Sequence, residues 1–212
     1  MFVTFEGIEG SGKTTQIRYA AEFLTAAGHQ CLVTKEPGGT GLGRQIRAIL
    51  LDPENRGIDP VTELLLYAAD RNQHIQTLIR PALVEGQTVI CDRFHDSTVV
   101  YQGYARSLDM GLIEDLHTRL LADLRPDMTF LLDLDPEVGL RRAWQQVSLG
   151  DRTDRETRFE NEALSFHQKV RAGYLDLARR EPARFIVVDA AQDEDAVKEV
   201  ILKVLKKKLN EP

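Results

Sequence analysis

Five short apolar, β-rich runs recur along the chain: FVTFE from Phe2, CLVTK from Cys31, TVICD from Thr88, TFLLDL from Thr129 and FIVVDA from Phe185. A segment of helical period separates each from the next, an alternation that predicts a parallel sheet wrapped by helices. The runs are nearly continuous in apolar residues, as expected of strands covered by helices on both faces. Capping chemistry marks the helices between them. Asp59 before Pro60 forms an N-cap and first-turn pair, opening a helix to about Arg80 that Pro81 should stop. Gly28 closes the first helix, and Asp135 with Pro136 opens a later one. At the end of the chain, Ile201, Leu202, Val204 and Leu205 recur at helical spacing around Lys203, Lys206, Lys207 and Lys208. The lysines suit a helix C-terminus better than a membrane anchor.

The region 145–160 breaks this regularity, being polar, weakly periodic and crowded with charge. It reads either as a mobile lid or as an ordinary exposed loop. With no linker or repeat elsewhere, residues 1–212 read as a single α/β domain. A chain of 212 residues, 42% hydrophobic and 28% charged, can bury a core without a disulfide or metal staple. Its formal charge of −6 argues against a broad basic face for nucleic acid. No apolar stretch approaches the ~18 residues of a membrane span, and no basic residue precedes Lys13 as a secretory signal would require. Cys31 and Cys91 lack metal or disulfide spacing and read as thiols in a reducing cytoplasm.

Chemistry begins directly after the first run. GIEGSGKT, Gly7 to Thr14, has the spacing of a phosphate cradle: glycine, four residues, then glycine, lysine and a hydroxyl residue. Its glycines turn backbone N–H groups onto phosphate oxygens, and the following helix presents its positive N-terminus to the same anion. Gly7, Ile8, Glu9, Gly10, Ser11, Gly12, Lys13, Thr14 and Thr15 are therefore the expected ATP contacts. Lys13 would reach the β and γ phosphates, and Thr14 would place its hydroxyl on Mg²⁺. A guanine-specific switch is excluded, because none of Asn55, Asn72, Asn161 and Asn210 is followed by lysine.

The third run ends in Asp92 and Arg93, at the sheet edge where ligands of open α/β folds bind. Asp92 can hold water on Mg²⁺ and Arg93 can clamp a second phosphate; a surface ion pair is the plainer alternative. Thr98, Tyr101 and Gln102 follow as a polar and aromatic set suited to a nucleoside. Tyr67 and Arg71, four apart on one helix face, can be a base reader or a core tyrosine beside a solvated arginine.

Together the motifs FEGIEGSGKTT from Phe5, EPGGT from Glu36, YAADR from Tyr67, DRF from Asp92, YQG from Tyr101, RPD from Arg125, LDLDPEVGLRRA from Leu132 and RFENE from Arg158 resemble the thymidylate kinases over essentially the whole chain. The resemblance implies a P-loop NTPase fold, a five-stranded parallel sheet in three layers with helices on both faces, and a homodimer. It implies an ATP- and Mg²⁺-dependent kinase that converts dTMP to dTDP. By position, Glu9 would hold the sugar 3′-hydroxyl, Tyr67 would stack on thymine and Arg71 would donate to its O4. Arg93 and Arg47 would hold the dTMP phosphate, Thr98 would touch the base edge and Tyr101 would crowd the 2′ position, with Gln102 beside them; Asp92 would support Mg²⁺.

The acceptor phosphate is largely ionised at neutral pH, its second pKa being about 6, so no side-chain base is needed. What the chemistry does need is positive charge on the phosphoryl group in flight. The cradle holds no arginine, so the resemblance puts that role on the arginines of the lid, Arg152, Arg155 and Arg158, of which Arg158 aligns best. A kinase of another small nucleotide or deoxynucleoside, or a nucleotide-gated binding module with slow ATP hydrolysis, stays open at this point.

Overall fold

The computed structural model describes residues 1–150 and 153–210. All five runs are strands: β1 (Phe2–Glu6), β2 (Cys31–Lys35), β3 (Thr88–Asp92), β4 (Met128–Asp133) and β5 (Phe185–Asp189). They form one parallel sheet in the order β2-β3-β1-β4-β5. From central β1 the chain runs out to β2 at one edge, returns through β3 and crosses to β4 on the other side. The carboxyl ends of β1 and β3 therefore lie side by side, with Phe5 opposite Asp92, which is where a ligand crevice opens in such a sheet. Alternate strand residues feed two cores, as helices on both faces require. Val3, Phe5, Ile90 and Phe130 belong to one, and Phe2, Val89 and Cys91 to the other.

Helix α1 (Lys13–Ala26) follows the cradle and α2 (Gly41–Leu51) follows the EPGGT turn. The helix opened by Asp59 and Pro60 does not stop at Pro81. α3 (Pro60–His74) passes through a π-helical turn at Ile75–Ile79 into α4 (Arg80–Val84), which contains Pro81. Within an α-helix a proline ring presses on the carbonyl four residues back; the wider turn, with Arg80 N donating to Ile75 O, relieves that conflict and lets the path continue. Gly86, at φ +79°, ends it instead. After β3, α5 (His95–Thr98) leads into a second π-helical segment, Val99–Ala105, and then to α6 (Met110–Leu121). α7 (Pro136–Ser148), α8 (Leu164–Arg180) and α9 (Glu194–Leu209) complete the chain. Of the segment 145–160, 145–148 continue α7 and Asp154–Glu156 form a short 3-10 turn; Arg152 lies outside the described residues. Among the described residues no helix is long and apolar enough to cross a membrane.

Candidate functional site

At the shared edge of β1 and β3 lies a cavity of about 550 Å³. The sequence-predicted residues Glu9 to Thr15, Arg47, Tyr67, Arg71, Asp92, Arg93, Thr98, Tyr101 and Gln102 all line it. Gly7 and Ile8 contribute backbone instead, since their carbonyls accept from Lys13 Nζ at 3.1 and 2.8 Å. Gly12 caps α1 at φ +90°, a conformation that favours glycine and turns the loop onto the helix axis. Gly10 is constrained by packing as well: an added Cβ would lie 2.1 Å from the carbonyl oxygen of Gly139 in α7. The cradle thus rests on the backbone of α7, a role for Gly139 that spacing along the chain does not reveal.

Lys13 is 8% exposed, and burial with the nearby Arg93 charge pushes its ammonium down to about 8 from an ordinary 10.5. Arriving phosphates would restore the charged form. Beside it, Glu9 Oε1 accepts from Arg93 Nη2 at 3.0 Å and from the Tyr101 hydroxyl at 2.6 Å. Burial alone would raise the Glu9 carboxyl; Arg93, His167 and Lys13 more than offset it and hold it well below the usual carboxylate range. Glu9 Oε2 is buried without a hydrogen-bond partner among the described residues, although His167 Nδ1 stands 3.4 Å away. That oxygen remains available to accept from a ligand hydroxyl.

Arg93 has φ +67°, a strained backbone for a side chain of this size. Glu6, which sequence reasoning missed, explains how the turn is held. Its carboxylate accepts from Phe94 N at 2.8 Å, Ser97 Oγ at 2.7 Å and the Tyr174 hydroxyl at 2.7 Å, while Arg93 Nη1 donates to those same two hydroxyls. Burial, with Asp96 nearby, pushes Glu6 up to about 7. The available signal was a carboxylate closing an otherwise apolar strand, one residue before the cradle. Its partner Tyr174 sits on α8, 168 residues away, so the pairing itself had no local signature.

Other predicted residues are engaged in ways the sequence does not show. Arg71 is 2% exposed, with Nε on Glu36 Oε2 at 2.7 Å and its terminal nitrogens on Thr98 Oγ1 and Phe94 O. Arg47 donates to Pro37 O and makes a bidentate pair with Glu156, Nη2 to Oε2 at 2.7 Å. Arg158 does not line the cavity. Its guanidinium pairs with buried Glu63 at 2.6 Å and donates to Leu50 O, which anchors the adjacent Phe159 and Glu160 at the cavity wall. His95, which follows the Asp92-Arg93 turn in sequence, pairs with Asp96 at 3.4 Å and is not among the residues lining the cavity. Asp92 Oδ1 is buried with no hydrogen-bond partner among the described residues.

Comparison with known proteins extends the picture over the whole chain. A sequence model of the family described as thymidylate kinase matches residues 5–201. A thymidylate kinase of Desulfosudis oleivorans is 58% identical over 190 residues, 90% of this chain and 89% of that protein. One from Solidesulfovibrio magneticus is 53% identical over 99% of this chain and 100% of its own length. The crystal structure of thymidylate kinase from Ehrlichia chaffeensis superposes with a TM-score of 0.77 at 36% identity, covering 97% of this chain and 98% of that one. A relationship that holds in sequence and fold alike, from the first strand to the last helix, means that the chain belongs to the thymidylate kinase family.

Proposed function

We propose that the chain transfers the γ-phosphoryl group of ATP to the phosphate of dTMP, giving dTDP. One observation carries this reading beside the family relationship: a single cavity is lined both by the phosphate cradle and by Arg47, Arg93, Tyr67 and Arg71. In it, Lys13 and the cradle amides hold the ATP phosphates. Arg93 and Arg47 hold the phosphate of dTMP, Glu9 Oε2 accepts the sugar 3′-hydroxyl, and Tyr101 crowds the 2′ position. Tyr67 stacks on the base, Arg71 donates to its 4-carbonyl, and Thr98 and Gln102 complete that wall. Since the acceptor oxygen is already ionised, the residues orient two phosphates in line and neutralise charge; they do not remove a proton.

Thr14 and Asp92 fit a hydrated Mg²⁺, because the orphaned Asp92 Oδ1 and the hydroxyl that opens α1 line the same cavity. Among the described residues no cluster of three or more His, Cys, Asp or Glu is built for a metal, which suits an ion carried in on nucleotide phosphates. When bound, such an ion would neutralise charge on the nucleotide phosphates. We place Arg152 and Arg158 as the lid cations of segment 145–160; Arg158 must first exchange Glu63 for phosphate. Exposed Val61 and Leu65, four apart on α3, with Leu112 on neighbouring α6, support a homodimer built on that side. The free thiols of Cys31 and Cys91 fit a reducing cytoplasm.

The test is ADP release with Mg²⁺ and ATP in parallel reactions lacking acceptor or containing dTMP, dUMP, dCMP, UMP or thymidine. Strong stimulation by dTMP, with dUMP second, is the expected outcome. Turnover indifferent to every acceptor would overturn the assignment. A further prediction concerns Glu156, whose carboxylate occupies the Arg47 fork that dTMP phosphate would use. Glu156→Gln should tighten dTMP binding on the order of threefold, the scale of a partly exposed ion pair, and leave ATP affinity unchanged in calorimetry.

A further inference from the structure

Behind Arg71 a row of buried polar side chains from separate segments is joined head to tail along the cavity wall. Thr34 Oγ1, in β2, lies 2.7 Å from His74 Nε2, and His74 Nδ1 lies 2.9 Å from Glu36 Oε1. The other carboxylate oxygen, Glu36 Oε2, accepts from Arg71 Nε at 2.7 Å. His74 is fully buried at 0% exposure, and it does not line the cavity, whereas Thr34, Glu36 and Arg71 do. The loop after Glu36 closes over the imidazole so tightly that a Cβ on Gly39 would stand 2.5 Å from His74 Nε2.

Roles in this row follow from donor and acceptor supply. Burial alone would raise the Glu36 carboxyl, but Arg71 and His74 more than offset it and hold it below its ordinary value, so both oxygens act as acceptors. Nδ1 must then donate to Glu36 Oε1, while Nε2 pairs with the Thr34 hydroxyl, which can donate or accept. A carboxylate bonded only to Arg71 could turn about its own axis and weaken its bond to Nε. With one oxygen taken by each partner, its plane is fixed, and Glu36 holds the Nε edge of Arg71 while Thr98 Oγ1 and Phe94 O hold its terminal nitrogens.

We propose that His74 is a positioning residue for base recognition: acting through Glu36, it locks Arg71 in the orientation that accepts a pyrimidine with a carbonyl at C4 and rejects one with an amino group. The inference rests on Arg71 as the base reader. Arginine only donates, so it pairs with a 4-carbonyl and confronts the hydrogens of a 4-amino group. The rejection is strong only if the guanidinium cannot swing aside.

Two near-isosteric substitutions separate the two ends of the imidazole. His74→Asn keeps a donor near the Nδ1 position, whereas His74→Gln keeps a polar group near Nε2 and abandons Glu36. Dissociation constants for dTMP and dCMP, with KM for ATP and kcat at saturating dTMP, are measured for each. In His74→Gln the dCMP-to-dTMP ratio should narrow by about tenfold or more, the scale of one lost oriented hydrogen bond, with KM for ATP and kcat nearly unchanged. His74→Asn should keep the ratio within about threefold of the parent. An equal shift in both variants, or equal loss of dTMP and ATP binding, would mean a merely structural histidine. Should His74→Gln fail to fold, Thr34→Val, which frees the imidazole to turn, must narrow the ratio; the parent ratio in every folded variant overturns the proposal. Arg71→Met is the control. If it leaves the ratio intact, the base-reader assignment fails; if it abolishes the ratio while His74→Gln does not, only the positioning role fails.

Discussion

Lys13→Met should lower kcat/KM for ATP by about 10³-fold, because it removes a buried charge aimed at the phosphates, where no solvent can substitute. The side chain nearly conserves volume, so the cradle should survive the loss of the hydrogen bonds that Lys13 now makes to Gly7 O, Ile8 O and Ser11 Oγ. The pH dependence gives an independent check. In the free protein Lys13 loses its proton at about 8. Bound phosphates favour the charged form and raise that value, so ATP binding takes up a proton above pH 8 and weakens as pH rises, by up to about tenfold per unit. Calorimetry at pH 8.5 in two buffers of different ionisation enthalpy should therefore show proton uptake in the parent and none in Lys13→Met. Pronounced uptake in the variant would assign the titration to another group.

Arg93→Ala should cost about 10³-fold in kcat/KM for dTMP and destabilise the fold as well. Arg93 offsets the burial of Glu9 and donates to the Ser97 and Tyr174 hydroxyls that satisfy Glu6. Removing it takes a neutralising cation from two buried carboxylates, which keep only their neutral donors and weaker cationic neighbours, and breaking a buried pair from one side costs about 3–5 kcal/mol. Thermal melting and dTMP titration separate the two effects. Arg93→Lys should recover most of the melting temperature but little of the dTMP affinity, because an ammonium cannot bridge Glu9, two hydroxyls and a phosphate as a planar fork does. Full recovery of dTMP affinity by lysine would show that only charge matters at that position.

Arg93 also illustrates how far the sequence could be read. Its placement at the end of β3, and the cradle after β1, follow from local rules: apolar runs make strands, glycines at set spacing make a phosphate turn, and parallel topology brings the two ends together. Those rules depend only on neighbours along the chain. Pro81 escaped them because a π-helical turn spreads the conflict over the preceding residues, an outcome decided by the packing of Ile75 and Ile79 against the sheet.

What the sequence determined by itself was the order of the strands and the cradle, since backbone geometry and hydrophobic period act at short range, and the motif resemblance added most of the side chains that meet at the cavity, Arg158 excepted. Only the tertiary structure decided how those side chains are held: Glu6 with Tyr174, Glu9 with His167, Glu36 with His74, Arg47 with Glu156 and Arg158 with Glu63. Burying a charge is costly unless a partner meets it, and the partner can come from any segment that the fold brings within about 3 Å, whatever its distance along the chain.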